Sequence, residues 1–315
     1  MIKIENLKKY FDLGGGDFVH AVDDVSLEIY ENEVLGLVGE SGSGKSTLGK
    51  VIAGLHPKTS GNINFRGMDL PQKYKASDFL LLSKDIQMIF QDPYSSLNPR
   101  MTVEEIIGEG LKLRGESSDS ISQKVINWLE KVGLSAEHRS RFPHEFSGGQ
   151  RQRIGIARAM IVEPKFVICD EPISALDVSV QAQVVNLLDE LKKSMGLTLL
   201  FIAHDLSMVR YISDRIVVMY LGSIVECGPA DEVFFNAKHP YSQLLIQSNP
   251  LADPKIEKSR KHTPIEGEIP SPVNVPTGCR FAGRCPQATD HCKNVTPSLK
   301  EVAEGHQAAC HLFDQ

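Results

Sequence analysis

Glu33-Val-Leu-Gly-Leu-Val38-Gly39-Glu40-Ser41-Gly42-Ser43-Gly44-Lys45-Ser46-Thr47 is the stretch that decides the fold class. Glu33–Val38 is a short apolar strand that runs into glycines, and residues 47–55 are patterned as a helix. Between them, Gly39–Ser46 fits the phosphate-loop spacing G-x-x-x-x-G-K-[ST]. The glycines let backbone N–H groups converge on phosphate oxygens with no Cβ in the way. The helix start adds the positive end of a dipole. Lys45 offers a cation to the β- and γ-phosphates, and Ser46 offers a hydroxyl to Mg²⁺. A glycine-rich turn that binds nothing has no need of this strand–loop–helix context. The loop alone does not separate a kinase from a GTPase or a transporter ATPase.

Further along, Lys165-Phe-Val-Ile-Cys-Asp170-Glu171 is an apolar strand ending in two carboxylates, and Thr198–Ala203 is a second strand ending at His204. Val184, Leu188, Leu191 and Met195 recur at helical spacing between them, and Gly196 closes the run. Strand, helix, strand in this order is a parallel βαβ unit. Ligands in such sheets sit beyond the carboxyl ends of the strands, where Asp170 can hold Mg²⁺ through water and Glu171 can polarise an attacking water. Taken alone, these are two solvated acids and a turn histidine. A hairpin, Ile216–Tyr220 and Ser223–Cys227, is expected to turn at Gly222, and Ile121, Val125, Trp128, Leu129 and Val132 form one face of a helix capped by Gly133.

Phe146-Ser147-Gly148-Gly149-Gln150 opens another helix, with Ile154, Ala157 and Ile161 on one face. It is a second anion-binding helix start about 100 residues from the first. Two phosphate half-sites in one chain make sense when two subunits meet head to tail, each closing the other's site. On its own, Ser147-Gly-Gly-Gln150 is a generic helix cap.

Together these motifs resemble an ABC-transporter ATPase: Gly39–Ser46 as Walker A, Gln91 as the Q-loop, Phe146–Gln150 as the signature, Asp170 and Glu171 as Walker B and its glutamate, Ser174–Asp177 as the D-loop, and His204 as the switch histidine. All occur in the family's order. Phe146 stands where leucine is usual, at a position that packs rather than touching phosphate. The resemblance implies an α/β P-loop NTPase core with an antiparallel β subdomain and a helical subdomain. It implies adenine stacking on Phe11, with Tyr10 adjacent; the alternative for Phe11 is simple packing. It also implies ATP contacts from Gly39 to Thr47 and from Ser147, Gly148, Gly149, Gln150 and Asp177, Mg²⁺ contacts from Ser46, Gln91 and Asp170, and catalytic roles for Lys45, Glu171 and His204.

A narrower resemblance covers the whole chain. Gln87–Met101, Asp177–Gln183, His239-Pro240-Tyr241 and Gly278-Cys-Arg-Phe-Ala-Gly-Arg-Cys285-Pro are similar to the ATPases of oligopeptide/dipeptide importers, the F-type subunit in particular. This implies a heterodimer with a paralogous ATPase, two transmembrane permease subunits and an extracytoplasmic peptide-binding protein. Other small cargo, such as glutathione-like molecules, metal complexes or sugars, stays open. DNA-repair-type ABC ATPases place a long coiled coil between the two phosphate motifs, ribosome-acting ones carry two cassettes, and a dead regulatory module lacks the residues intact here.

The composition agrees. The 315-residue chain is 41% hydrophobic with a formal charge of −6, so it has no basic footprint for nucleic acid. No window approaches the ~20 apolar residues of a membrane span. The opening MIKIENLKKY lacks a signal-peptide core, and the cytoplasmic face of the membrane is expected. Residues 1–250 read as the nucleotide-binding domain, with its helical subdomain at about 93–163, and 251–315 as a C-terminal extension beginning in a proline-punctuated wrap. Of six cysteines, Cys169 and Cys227 are core candidates. Cys279, Cys285, Cys292 and Cys310 follow C-x5-C-x6-C-x17-C, wider than zinc knuckles. Four thiolates at this spacing, and the importer resemblance, point to a structural [4Fe–4S] cluster; zinc and no metal are the alternatives.

Overall fold

The computed structural model describes residues 1–248, 270–273, 275 and 277–314, which divide into two compact units, 1–74 with 201–315, and 75–200. The expected proline-punctuated wrap runs from Pro250 to Pro276, and most of it, within residues 249–269, lies outside the described residues. No helix among the described residues is long and apolar enough to cross a membrane.

In the first unit, Asp17–Ile29, Ile2–Gly14, Ser60–Phe65 and Met68–Asp69 form an antiparallel sheet in that order. Alternation puts one face inside: Ile2, Ile4, Leu7, Val22, Val25, Ile29 and Ile63 are all buried. The strand before the phosphate loop, Val34–Val38, is buried at every position and pairs parallel with Arg215–Tyr220, Leu37 opposite Val217. A strand covered on both faces must be apolar throughout, as this one is. Arg215–Tyr220 turns at Leu221 and Gly222, both with positive φ (44° and 81°), into Ser223–Pro229. This is the expected hairpin, and the two positive angles match the strand twist.

The C-terminal hairpin Lys300–Ala303 and His306–Ala308 continues that sheet by pairing with Ser223–Pro229, Glu226 opposite Ala308. A fully buried acid would be costly here without partners. Glu226 accepts from the amides of Lys238 (2.7 Å) and His239 (2.9 Å) and bonds the His306 Nε2 at 2.7 Å. This gathers the His239-Pro240-Tyr241 motif and the chain's last hairpin onto one carboxylate.

His239 is buried, its Nδ1 accepts from the Tyr241 amide at 3.0 Å, and desolvation pushes its pKa down to about 4 despite the opposing pull of Glu226. Between the unfolded value of 6.5 and about 4, the unfolded chain binds a proton that the folded one refuses, so stability falls as pH falls. From pH 7 to pH 5 this histidine removes about 2 kcal/mol. Urea unfolding of the wild type should therefore lose about 2 kcal/mol more than His239→Gln over that interval. Equal losses would contradict the assignment.

In the second unit, Ile86–Ile89 pairs parallel with Phe166–Asp170, Met88 opposite Ile168. Thr198–Ile202 neighbours Phe166–Asp170, the Thr198 amide donating to the Lys165 carbonyl at 3.1 Å; the division between the units falls within Thr198–Ile202. The helix Val178–Met195 buries Val184, Leu188 and Leu191 and stops at Gly196, φ 62°. Three helices, Val103–Lys112, Ser118–Lys131 and Gly148–Met160, pack through Ile107, Leu111, Val125, Trp128, Ile154 and Ala157. Thr102 and Glu105 close the first helix with a reciprocal capping box. Trp128 is core, as its helical spacing predicts, while Ile121 on the same face is half-buried.

Candidate functional site

The phosphate loop lies in the first unit. At Gly44, φ is 101° and a Cβ would stand 2.0 Å from the Ala21 carbonyl oxygen; at Gly39 it would stand 2.2 Å from that of Met219. Both positions are closed to any side chain. The helix Lys45–Ile52 starts at Gly44 without a side-chain cap, so its first-turn amides are aimed at whatever binds the loop. Buried Lys45 donates to the carbonyls of Gly39 (2.8 Å) and Glu40 (2.9 Å), which hold the ammonium inside the loop. The Ser43 amide donates to the Glu40 carbonyl at 3.2 Å, and the Ser43 carbonyl accepts from Gly222 at 2.9 Å. Ser41 and Gly42 are exposed; Ser46 and Thr47 are half-buried. These features fit a triphosphate: an inward cation, open amides and a backbone no Cβ interrupts.

Phe11, in the same unit, is half-buried, with the Lys9 ammonium 4.5 Å from its ring centre and His56 edge-on at 5.4 Å. Tyr10 is committed elsewhere: it stacks on His20 at 4.1 Å and donates its hydroxyl to Asp23. His204 is exposed, one residue before Asp205, which caps the helix Leu206–Ile212 by accepting from Ser207 at 2.8 Å.

In the second unit, Asp170 is buried at the end of its strand beside Cys169, whose thiol burial pushes up to about 12. Glu171 follows in the left-handed region, φ 45°, and accepts from Gln91 Nε2 at 2.8 Å. The structure thus joins two residues 80 positions apart that the sequence motifs treat separately. Ser147 caps Gly148–Met160: its hydroxyl accepts from the Gln150 amide at 3.4 Å while Gln150 Oε1 accepts from the Ser147 amide at 3.0 Å. Gly148 and Gly149 occupy the first turn, and a Cβ on Gly149 would meet Val180 Cγ1 at 2.6 Å. Phe146 packs, buried, with His138 edge-on at 5.3 Å.

Asp177, assigned above to nucleotide, is also a helix cap: it accepts from the Val180 amide at 3.0 Å and the Ser179 hydroxyl at 2.8 Å, and these donors hold its carboxyl below the usual range. An aspartate directly before an apolar periodic run is a cap signal in the sequence. Arg151 gave no such signal. It donates to the carbonyls of Pro143 (2.7 Å) and His144 (3.3 Å) and lies 3.7 Å from the ring centre of Tyr94, tying the signature helix to the segment after Gln91.

The iron–sulfur expectation needs correction. Cys279, Cys285, Cys292 and Cys310 do line one small pocket with Phe281 and Leu312. Yet among the described residues, the one set of three or more candidate ligand atoms within 4.8 Å of one another is His291, His311 and Asp314, with no cysteine in it. Burial pushes Cys279 up to about 11 and raises Cys285 and Cys310. The four cysteines as arranged do not form a ligand set. Cys169 and Cys227 are buried, as expected.

Comparison with known proteins agrees with this geometry. Residues 22–174 match the family described as ABC transporter, and residues 225–292 match the one described as oligopeptide/dipeptide transporter, C-terminal region. The chain is 50% identical over 315 residues to the putative oligopeptide transport ATP-binding protein YkfD of Bacillus subtilis (strain 168), covering 99% of this chain and 95% of that protein. It is 50% identical over 324 aligned residues to the oligopeptide transport ATP-binding protein OppF of Salmonella typhimurium, covering 100% and 96%. Among solved structures, the ATP-binding cassette MJ0796, described as a dimer in a post-hydrolysis state bound to ADP and Pi, superimposes with a TM-score of 0.68 at 27% identity, covering 73% of this chain and 99% of that one. The Gly39–Ser46 loop, the Gln91–Glu171 pair, the Ser147 cap and the full-length identity converge, and the chain belongs to the ABC transporter ATP-binding proteins, in the branch that carries the oligopeptide/dipeptide transporter C-terminal region.

Proposed function

We propose that this chain is the ATP-hydrolysing subunit of an importer for dipeptides or oligopeptides. The observation that carries the reading is the seating of the C-terminal region: Glu226 joins Lys238, His239 and His306 inside the sheet that holds the phosphate loop. A region matched to peptide transporters is thereby built into the nucleotide-binding fold. The nearby names, YkfD and OppF, both describe oligopeptide transport.

In this reading the adenine stacks on Phe11. The phosphates lie in the loop formed by Gly39, Glu40, Ser41, Gly42, Ser43 and Gly44, with Lys45 and Thr47 among their contacts. Ser46, Gln91 and Asp170 would hold Mg²⁺, which would neutralise phosphate charge. Glu171 orients the attacking water and His204 meets the γ-phosphate. Ser147, Gly148, Gly149, Gln150 and Asp177 roof the nucleotide of a second, paralogous ATPase, giving a heterodimer. Residues 1–250 act as the nucleotide-binding domain, with a helical subdomain at about 93–163, and 251–315 as the extension.

Two transmembrane permease subunits dock on Asp92–Arg100, where Tyr94 is 65% exposed, and the chain works peripherally on the cytoplasmic membrane face. An extracytoplasmic peptide-binding protein acts on it only through the permeases. The decisive experiment co-expresses this chain with candidate permeases and a paralogous ATPase from its own genome and reconstitutes the purified assembly in vesicles. The reading expects ATP hydrolysis to rise when the peptide-loaded binding protein is added outside. A purified assembly that responds to a non-peptide ligand instead, or a chain that recruits no permease, would overturn it.

A further inference from the structure

The phosphate loop contains an acid, Glu40, where an anion is to bind. A bare carboxylate on that loop would oppose phosphate by like-charge repulsion. The structure places a counter-charge on it from far along the chain: Arg284 Nη1 donates to Glu40 Oε2 at 2.8 Å and Nη2 to Oε1 at 3.0 Å, a two-pronged pair. The arginine side chain is 5% exposed and the glutamate 21%, so solvent screens the pair little. Arg284 also donates to the Tyr220 hydroxyl at 3.3 Å.

Around it, Tyr220, Tyr241 and Phe281 are fully buried, with ring centres 4.6 Å apart for the two tyrosines and 5.4 Å for Tyr241 and Phe281. The Tyr241 hydroxyl accepts from the Glu40 amide at 2.8 Å, so both ends of Glu40 are held. A second arginine of the same segment, Arg280, donates to the Leu221 carbonyl and to Asp23. The neighbouring Gly222 amide holds the Ser43 carbonyl of the loop. The segment from Gly278 to Cys292 therefore reaches the loop directly through Arg284 and indirectly through the Leu221–Gly222 turn.

We propose that Arg284 is a positioning residue for ATP binding: it neutralises and fixes Glu40, so that the C-terminal cysteine segment sets the affinity of the phosphate loop. The proposal rests on Gly39–Thr47 being the phosphate cradle. The charge has a signature that packing lacks. Removing Arg284 alone leaves Glu40 uncompensated, whereas removing the Glu40 charge as well relieves the repulsion, because deleting both members of a buried pair is far milder than deleting one.

The test is calorimetric titration of the full chain with Mg-ATP, beside KM and kcat in the assembled transporter. Arg284→Ala should weaken ATP binding about tenfold, because an uncompensated carboxylate then faces the bound phosphates. Arg284→Lys, which keeps the charge and loses the fork, should weaken it about threefold. Arg284→Ala with Glu40→Gln should return to within about threefold of wild type. The loss should fall in KM for ATP rather than in kcat. Wild-type affinity in Arg284→Ala beside a Lys45→Ala that loses ATP overturns the clamp alone, as does a double variant no better than Arg284→Ala. Wild-type affinity in Lys45→Ala overturns the cradle and the clamp together. Should Arg284→Ala fail to fold, Arg284→Lys and the double variant give the same comparison.

Discussion

Glu171→Gln is expected to lower ATP hydrolysis about 10³-fold while leaving ATP binding within a few-fold of wild type. Glu171 follows the buried strand Phe166–Asp170 and is turned by its left-handed backbone, φ 45°. Its Oε2 accepts from Gln91 at 2.8 Å. A glutamine has the same shape, and its amide oxygen can accept that bond, so the arrangement survives. What disappears is the negative charge that polarises the attacking water and the capacity to take its proton. Phosphate release from the reconstituted assembly measures the first effect. Calorimetric titration with Mg-ATP measures the second, affinity retained within a few-fold. Turnover above about a tenth of wild type would remove Glu171 from the role.

Lys45→Ala is expected to weaken ATP binding by about 3 kcal/mol, roughly 10²-fold, because the loop loses the one buried cation among its residues. In the structure that ammonium is held by the carbonyls of Gly39 and Glu40. Its removal also leaves two acceptors short of a donor, a cost of about 1–3 kcal/mol where water cannot enter. Affinity and stability must therefore be separated. Lys45→Met fills the same space without the charge. The two variants should share the loss of ATP affinity while differing in melting temperature. Retained affinity in either would take Lys45 away from the phosphates.

Much of this was legible in the chain. The hairpin at Leu221–Gly222, the helix stops at Gly133 and Gly196, the buried strands Val34–Val38 and Phe166–Asp170 and the Trp128 helix follow from local rules: positive-φ residues at turns, and apolar spacing of two or 3.6. Ser147, at the head of the signature, caps its helix, as a serine before an apolar periodic run signals. Asp177 also caps a helix, as its position before Val178–Met195 signals, while the family motif points to nucleotide. Spacing along the chain says how far apart the four cysteines can be, and only the fold decides whether their sulfurs form one set; here they line one pocket without doing so.

The sequence by itself determined the phosphate loop and the class of ATPase, because an anion cradle depends on consecutive backbone angles and a helix start, both encoded within a dozen residues. Only the tertiary structure decided what Glu40, Glu226 and Gln91 do. Their partners stand 244, 80 and 80 positions away at Arg284, His306 and Glu171. A polar side chain takes whichever partner the packed fold delivers to it, and nothing in the residues beside it in the chain names that partner.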